Sequence, residues 1–181
     1  GSYFYNSEMD VMRVTTIQQK NRQESKERLD YNFSNQTAKS VELSLEWEKW
    51  RIPFIVEVDV IKTTLASIRS QMSGAIGFDP PSLEAAANWC LMNNVNTTEA
   101  LNWINSAVDP NLGGVKTFKT LSVKAGLLTK LGKKEEADKL MQTALESGTA
   151  AEIHNYGRQL ITENKPKEAL QVFEMNYKKF N

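Results

Sequence analysis

The stretch Phe118-Lys119-Thr120-Leu121-Ser122-Val123-Lys124-Ala125-Gly126-Leu127-Leu128-Thr129-Lys130-Leu131-Gly132-Lys133-Lys134-Glu135-Glu136-Ala137 decides the fold. Ala125 and Leu128 fall on one helix, Leu131-Gly132 closes it, and Glu136-Ala137 opens the next. Behind Ala137 come Met141 and Ala144, four and seven residues on, which helical geometry places on one face. The small alanine in that stripe lets a neighbouring helix approach closely. The unit is therefore a helical hairpin.

The same pattern recurs on both sides. Glu99-Ala100-Leu101 is followed by Ile104 and Ala107, and Glu168-Ala169-Leu170 by Phe173. An apolar helix precedes each opening, over residues 83–92, 118–131 and 153–161, and short polar turns join the partners. The three alanines are spaced by 37 and 32 residues, which brackets the ~34-residue period of the tetratricopeptide pattern. Gly157 and Leu160 take the places of Ala125 and Leu128 in the third unit, while Asn88 is a poorer match in the first. Residues 81–181 are thus expected to form three tetratricopeptide-like hairpins, with a plain antiparallel bundle as the alternative.

Upstream the periodicity changes from helical to alternating. Residues 10–17 are rich in β-branched side chains and read as a strand; residues 18–28 are polar and read as a loop. Leu29, Tyr31 and Phe33 alternate with polar residues up to a turn at Asn35-Gln36. Val41, Leu43, Leu45 and Trp47 alternate with Glu42, Ser44, Glu46 and Glu48, which reads as one core face and one solvated face. Ile52, Phe54, Val56 and Val58 follow, with Pro53 on the other parity marking an open edge or an irregularity. Four strands with short connections predict an antiparallel meander. Residues 60–72 are amphipathic, with Val60, Ile61, Leu65 and Ile68 on one side, and residues 73–81 hold two glycines and a Pro-Pro pair. Ser82 is the expected N-cap of the helix that follows, and Thr97 or Thr98 that of the next. The fold class is α+β and mostly α: an antiparallel β segment over 1–59, a first helix and Gly/Pro-rich linker over 60–80, and helical hairpins over 81–181.

Composition bounds the function. The 181 residues carry 22 Lys plus Arg and 22 Asp plus Glu, a balance that argues against a nucleic-acid partner, which needs a basic stripe. No apolar run approaches the ~20 residues of a membrane-spanning helix, and no signal-peptide pattern is recognisable. The lone cysteine, Cys90, excludes an internal disulfide and reads as a buried thiol among apolar neighbours.

Residues 45–59 carry a resemblance. Leu45-Glu46-Trp47-Glu48-Lys49, Ile52-Pro53-Phe54 and Val56-Glu57-Val58-Asp59 resemble a bacterial family, domain of unknown function 2911 (DUF2911). The likeness continues through Glu84-Ala85-Ala86-Ala87-Asn88-Trp89-Cys90, Asn93-Asn94-Val95-Asn96 and Leu121-Ser122-Val123-Lys124-Ala125-Gly126 to His154-Asn155-Tyr156-Gly157-Arg158-Gln159-Leu160, and Tyr3-Phe4-Tyr5 is similar to the middle of that family's β domain. The resemblance implies an exported, periplasmic or otherwise extracytoplasmic protein, of no established activity, with a β domain ahead of helical repeats. It also implies that about half of the β domain is missing here, so a C-terminal fragment is expected.

No catalytic constellation stands out. His154 is the only histidine and cannot build a multi-histidine metal site. Gly113-Gly114 lacks the strand, helix and Lys-Ser partners of a phosphate loop, so no cofactor is expected. The pairs Glu46/Glu48 and Glu57/Asp59 have the residue types of a glycoside-cleaving pair, but alternation puts them on the solvated side. In a tetratricopeptide stack the first helix of each unit lines the concave face, which selects Trp89, Asn93, Lys119, Lys130, His154, Asn155 and Arg158 as groove candidates. One aromatic among several cations would suit an acidic segment or a C-terminal carboxylate of a protein or peptide partner; a solvated lysine face explains the same cations without a ligand. The leading expectation is a non-enzymatic interaction scaffold. The alternative is an enzyme or a glycan-binding envelope protein with its site partly in a missing N-terminal β half, where Trp50 could serve as an exposed platform.

Overall fold

The computed structural model describes residues 6–20 and 25–181. Tyr3-Phe4-Tyr5 and part of the loop expected over 18–28 lie outside the described residues. The chain divides into two compact units, Gly1–Thr64 and Leu65–Asn181.

The first unit is a four-stranded antiparallel sheet of order β1-β4-β3-β2, with β1 Gln19–Lys20, β2 Lys26–Ser34, β3 Ser40–Glu48 and β4 Trp50–Glu57. β2, β3 and β4 form the expected meander. Asn35 and Glu48 take left-handed backbone at the two hairpin turns. The expected strand over 10–17 is absent. The first strand instead forms inside the stretch read as a loop, is two residues long, and pairs with β4 rather than β2. Propensity favoured residues 10–17, but pairing partners decide strands. Among the described residues β1 pairs only with Trp50 and Arg51, so β4 is open beside Pro53, where a missing N–H costs nothing. There the Thr16 hydroxyl donates to the Pro53 carbonyl.

The faces of the sheet reverse the expected burial. Ser44 and Glu46, expected to be solvated, are 0% and 4% exposed. Trp47, expected in a core, is exposed, as are Tyr31 and Phe33. Alternation distinguishes the faces by polarity but does not say which is covered. Here the polar face is closed by its own ionic side chains.

Helix α1, Val60–Met72, spans the boundary between the units. In the second unit follow α2 Pro80–Asn93, α3 Thr97–Ala107, α4 Phe118–Lys130, α5 Lys134–Ser147, α6 Ala150–Thr162 and α7 Pro166–Phe180. α2 starts earlier than expected: Asp79, not Ser82, is its N-cap and accepts from the Ser82 N–H. Pro80 and Pro81 fit the first turn because N–H groups there have no intrahelical partner anyway. Asn96 precedes α3 without a side-chain cap bond, and Thr97 is already helical. α4 and α6 begin with capping boxes, Thr117 with Thr120 and Thr149 with Glu152.

The helices pack as successive pairs, α2 with α3, α4 with α5 and α6 with α7. Ala100, Ala137 and Ala169 are all buried, as are Ala125, Leu128, Gly157 and Leu160. Leu83, Ala87 and Cys90 of α2 meet Ala100, Ile104 and Ala107 of α3, with Val123 and Leu127 of α4 completing this core. Leu65 and Met72 of α1 pack against it, and Arg69 holds Glu99 at 2.8 Å. Burial pushes the Cys90 thiol up, which keeps it protonated and inert.

The first and second pairs are joined closely, because α4 packs on both α2 and α3. The third pair makes no comparable backbone approach to the second. Side chains attach it where α5 ends: Leu145 of α5 enters the core of α6 and α7. Within the third pair, Asn176 Nδ2 donates to the Ala150 carbonyl at 3.0 Å. Lys179 Nζ also donates to the carbonyls of Leu145, Glu146 and Gly148 at 3.2, 2.6 and 2.9 Å.

Candidate functional site

A groove of about 1210 Å³ runs through the helical unit. Its apolar floor takes Leu91 and Met92 from α2, Val123 from α4, Met141 from α5 and Tyr156 from α6. Gly126 permits the floor to be continuous, since a Cβ there would lie 2.7 Å from Leu91 Cδ2. Phe118, first residue of α4, meets Tyr156 edge to face with centroids 6.3 Å apart and closes the attached end. Burial, with Glu163 nearby, pushes the Tyr156 phenol up, so the ring stays neutral.

The rim is charged and largely self-compensated. Lys119 Nζ lies 2.5 Å from Glu84 Oε1, a coulombic contact without directional hydrogen-bond geometry. Lys165 holds Glu163 at 2.7 Å and Gln159 donates to the same carboxylate at 2.8 Å, which keeps Glu163 below the usual carboxylate range. Glu152 is used in its capping box. Two lysines at the open end, Lys130 and Lys134, have no ion-pair or hydrogen-bond partner for their ammonium groups among the described residues. The groove therefore offers apolar contact along its length and, at one end, two lysines without a direct ion pair, where the charge of Lys130 also helps hold Glu163 low.

The expected groove residues divide. Lys119, Lys130 and Asn155 line the groove together. Trp89 is half-buried against the core of the first pair, and Asn93 donates to the Trp89 carbonyl at 2.8 Å. His154 lies on the far side of α6, where its ring is 5.3 Å from Phe173 in a smaller cavity of about 420 Å³. Arg158 is exposed and lines neither cavity. Sequence reasoning missed Phe118, Met141 and Tyr156. An aromatic at the first position of α4 and another beside Gly157, both off the buried stripe, were the available signals.

The sheet holds the other concentration of charge. On its closed face Arg51 bridges Glu42 and Glu46, the latter at 3.3 Å. Lys26 holds Glu46 at 3.1 Å, and the Ser44 hydroxyl donates to it at 3.0 Å. Arg51 and Ser34 hold the Glu42 carboxyl below its usual range. Burial opposes ionisation of Glu46, but the hydrogen bonds from Lys26 and Ser44 prevail and lower it as well. Both carboxylates are committed to cations and ionised, so neither is poised to donate a proton. Among the described residues no group of three or more His, Cys, Asp or Glu side chains converges on a metal-sized site, and no helix is long and apolar enough to cross a membrane.

No curated protein and no solved structure matches the chain. The model of the family described as protein of unknown function (DUF2911) matches residues 1–56, the segment that carries the sheet.

Proposed function

We propose that the helical unit is a non-enzymatic, tetratricopeptide-like interaction scaffold that takes an amphipathic, acidic segment of a partner protein into its groove. The carrying observation is an apolar floor ending at two lysines, Lys130 and Lys134, whose ammonium groups have no direct ion-pair partner among the described residues. Apolar side chains of a bound segment would cover Leu91, Met141 and Tyr156, and acidic residues would meet the lysines, the usual economy of helix-in-groove recognition. The buried alanines at 100, 137 and 169, each early in the second helix of a pair, support the repeat reading. An extracytoplasmic setting belongs to the same proposal and rests on the resemblance of the β segment.

Display selection of a random peptide library on the full chain tests this reading. Enriched peptides are expected to carry spaced apolar residues with an acidic cluster, and to be lost on a Lys130→Glu/Lys134→Glu variant. No enrichment, or enrichment indifferent to that variant, overturns it.

A further inference from the structure

The strand register assembles one continuous apolar surface on the sheet. Tyr31 pairs with Leu45 and Leu45 with Ile52; Phe33 pairs with Leu43 and Leu43 with Phe54. Val41 pairs with Val56, and Trp47 with Trp50. Directly paired residues point to the same side, so these side chains share a face. Among the described residues the one charge in these rows is Lys20, opposite Trp50 at the rim. None of these residues is buried. The opposite, polar face is the closed one. A soluble antiparallel sheet normally shows the reverse, and an open apolar face of this extent marks an interface.

We propose that this face is an interface between two copies of this chain, packed sheet on sheet about a two-fold axis. Four features favour a second copy. The area suffices: Tyr31, Phe33, Trp47 and Trp50 are 42% to 68% exposed. At ~150–250 Å² per aromatic side chain they alone offer on the order of 450 Å², over half of the ~800 Å² each partner gives to a standard interface. A two-fold contact brings each surface against itself, and a face whose described rows carry only Lys20, at the rim, meets its copy with little repulsion. The chain is neutral overall, with 22 basic and 22 acidic side chains, so no long-range field opposes association. Finally, Lys26, Glu27, Arg28 and Asp30 discourage pairing through edge strand β2, and Pro53 interrupts the donors of the open edge of β4. The two sheets would pack ~10 Å apart, as in a β-sandwich. A carbohydrate platform would use the Trp47–Trp50 pair but leave the rows of Tyr31 and Phe33 open.

Sedimentation equilibrium of the full chain, with tryptophan emission followed on dilution, tests the proposal. Wild type is expected to be a dimer at concentrations on the order of 100 μM, with emission shifting to the red as it dissociates. Phe33→Asp and Tyr31→Lys are each expected to give a monomer with unchanged far-ultraviolet dichroism. Should one of them unfold, the other carries the test. A monomeric wild type at that concentration, or a dimer that survives both substitutions, overturns the proposal. So does a dimer abolished by Lys130→Glu/Lys134→Glu and kept in both sheet variants, because the contact would then lie in the helical groove.

Discussion

Lys179 Nζ, near the end of α7, lies 2.9 Å from the carbonyl oxygen of Gly148, just beyond the end of α5. It also takes the Leu145 and Glu146 carbonyls, so one ammonium satisfies three of the acceptors that a helix C-terminus leaves open. This cation fastens the third helical pair to the end of the second. Lys179→Met keeps the aliphatic stem but removes the donor. It is expected to lower stability by about 1–2 kcal/mol, read by urea denaturation, with faster amide exchange in α6 and α7 than in α2 and α3.

Phe118 and Tyr156 make the second fastening. Phe118→Ala removes the ring contact and is expected to cost about 2 kcal/mol. Tyr156→Phe keeps the ring, and the phenol has no hydrogen-bond partner among the described residues; its expected cost is below about 0.5 kcal/mol. Thermal unfolding of both variants separates ring packing from the hydroxyl.

Helix α2 offers a local test of capping. Asp79 accepts from the Ser82 N–H at 3.0 Å, so Asp79→Ala is expected to cost about 1 kcal/mol. Ser82→Ala leaves that backbone bond in place and is expected to cost less. Chemical denaturation of the two variants under one set of conditions gives the order.

The ionic face of the sheet sets a pH dependence. Glu42 is held below the usual carboxylate range by Arg51 and Ser34, and Glu46 by Lys26 and Ser44 against the effect of burial. A carboxyl lowered in the folded state binds fewer protons there than when unfolded. Its contribution to stability is therefore complete above the unfolded glutamate value of about 4.3 and fades as pH falls through the lower folded value. The urea midpoint is expected to drop on acidification through this window, and to drop less in Glu46→Gln. Equal slopes would remove Glu46 from the account.

Much of the helical unit was legible, because burial repeats at helical spacing. Ala100, Ala137 and Ala169 marked the close approaches, and the amphipathic stripe of residues 60–72 marked α1 with both ends. The sheet was legible in its alternation but not in its coverage. Glu42 and Glu46 look solvated one at a time; they close over when register places Arg51 opposite Glu46. The same non-local pairing moved the first strand from residues 10–17 to Gln19–Lys20. Of the groove, Lys119, Lys130 and Asn155 followed from helical register. Phe118 and Tyr156 did not, because the groove is lined from helices of different pairs, whose packing on one another involves residues as distant in the chain as Lys179.

The most direct measurement of the central claim is the affinity of a selected amphipathic, acidic peptide for the full chain, by fluorescence anisotropy, against the Lys130→Glu/Lys134→Glu variant. The expected result is saturable binding weakened at least about tenfold in the variant, a difference of about 1.4 kcal/mol, with wild-type affinity falling as salt rises. Equal affinity for both proteins, or binding insensitive to salt, would contradict a groove that recognises its partner through these two lysines.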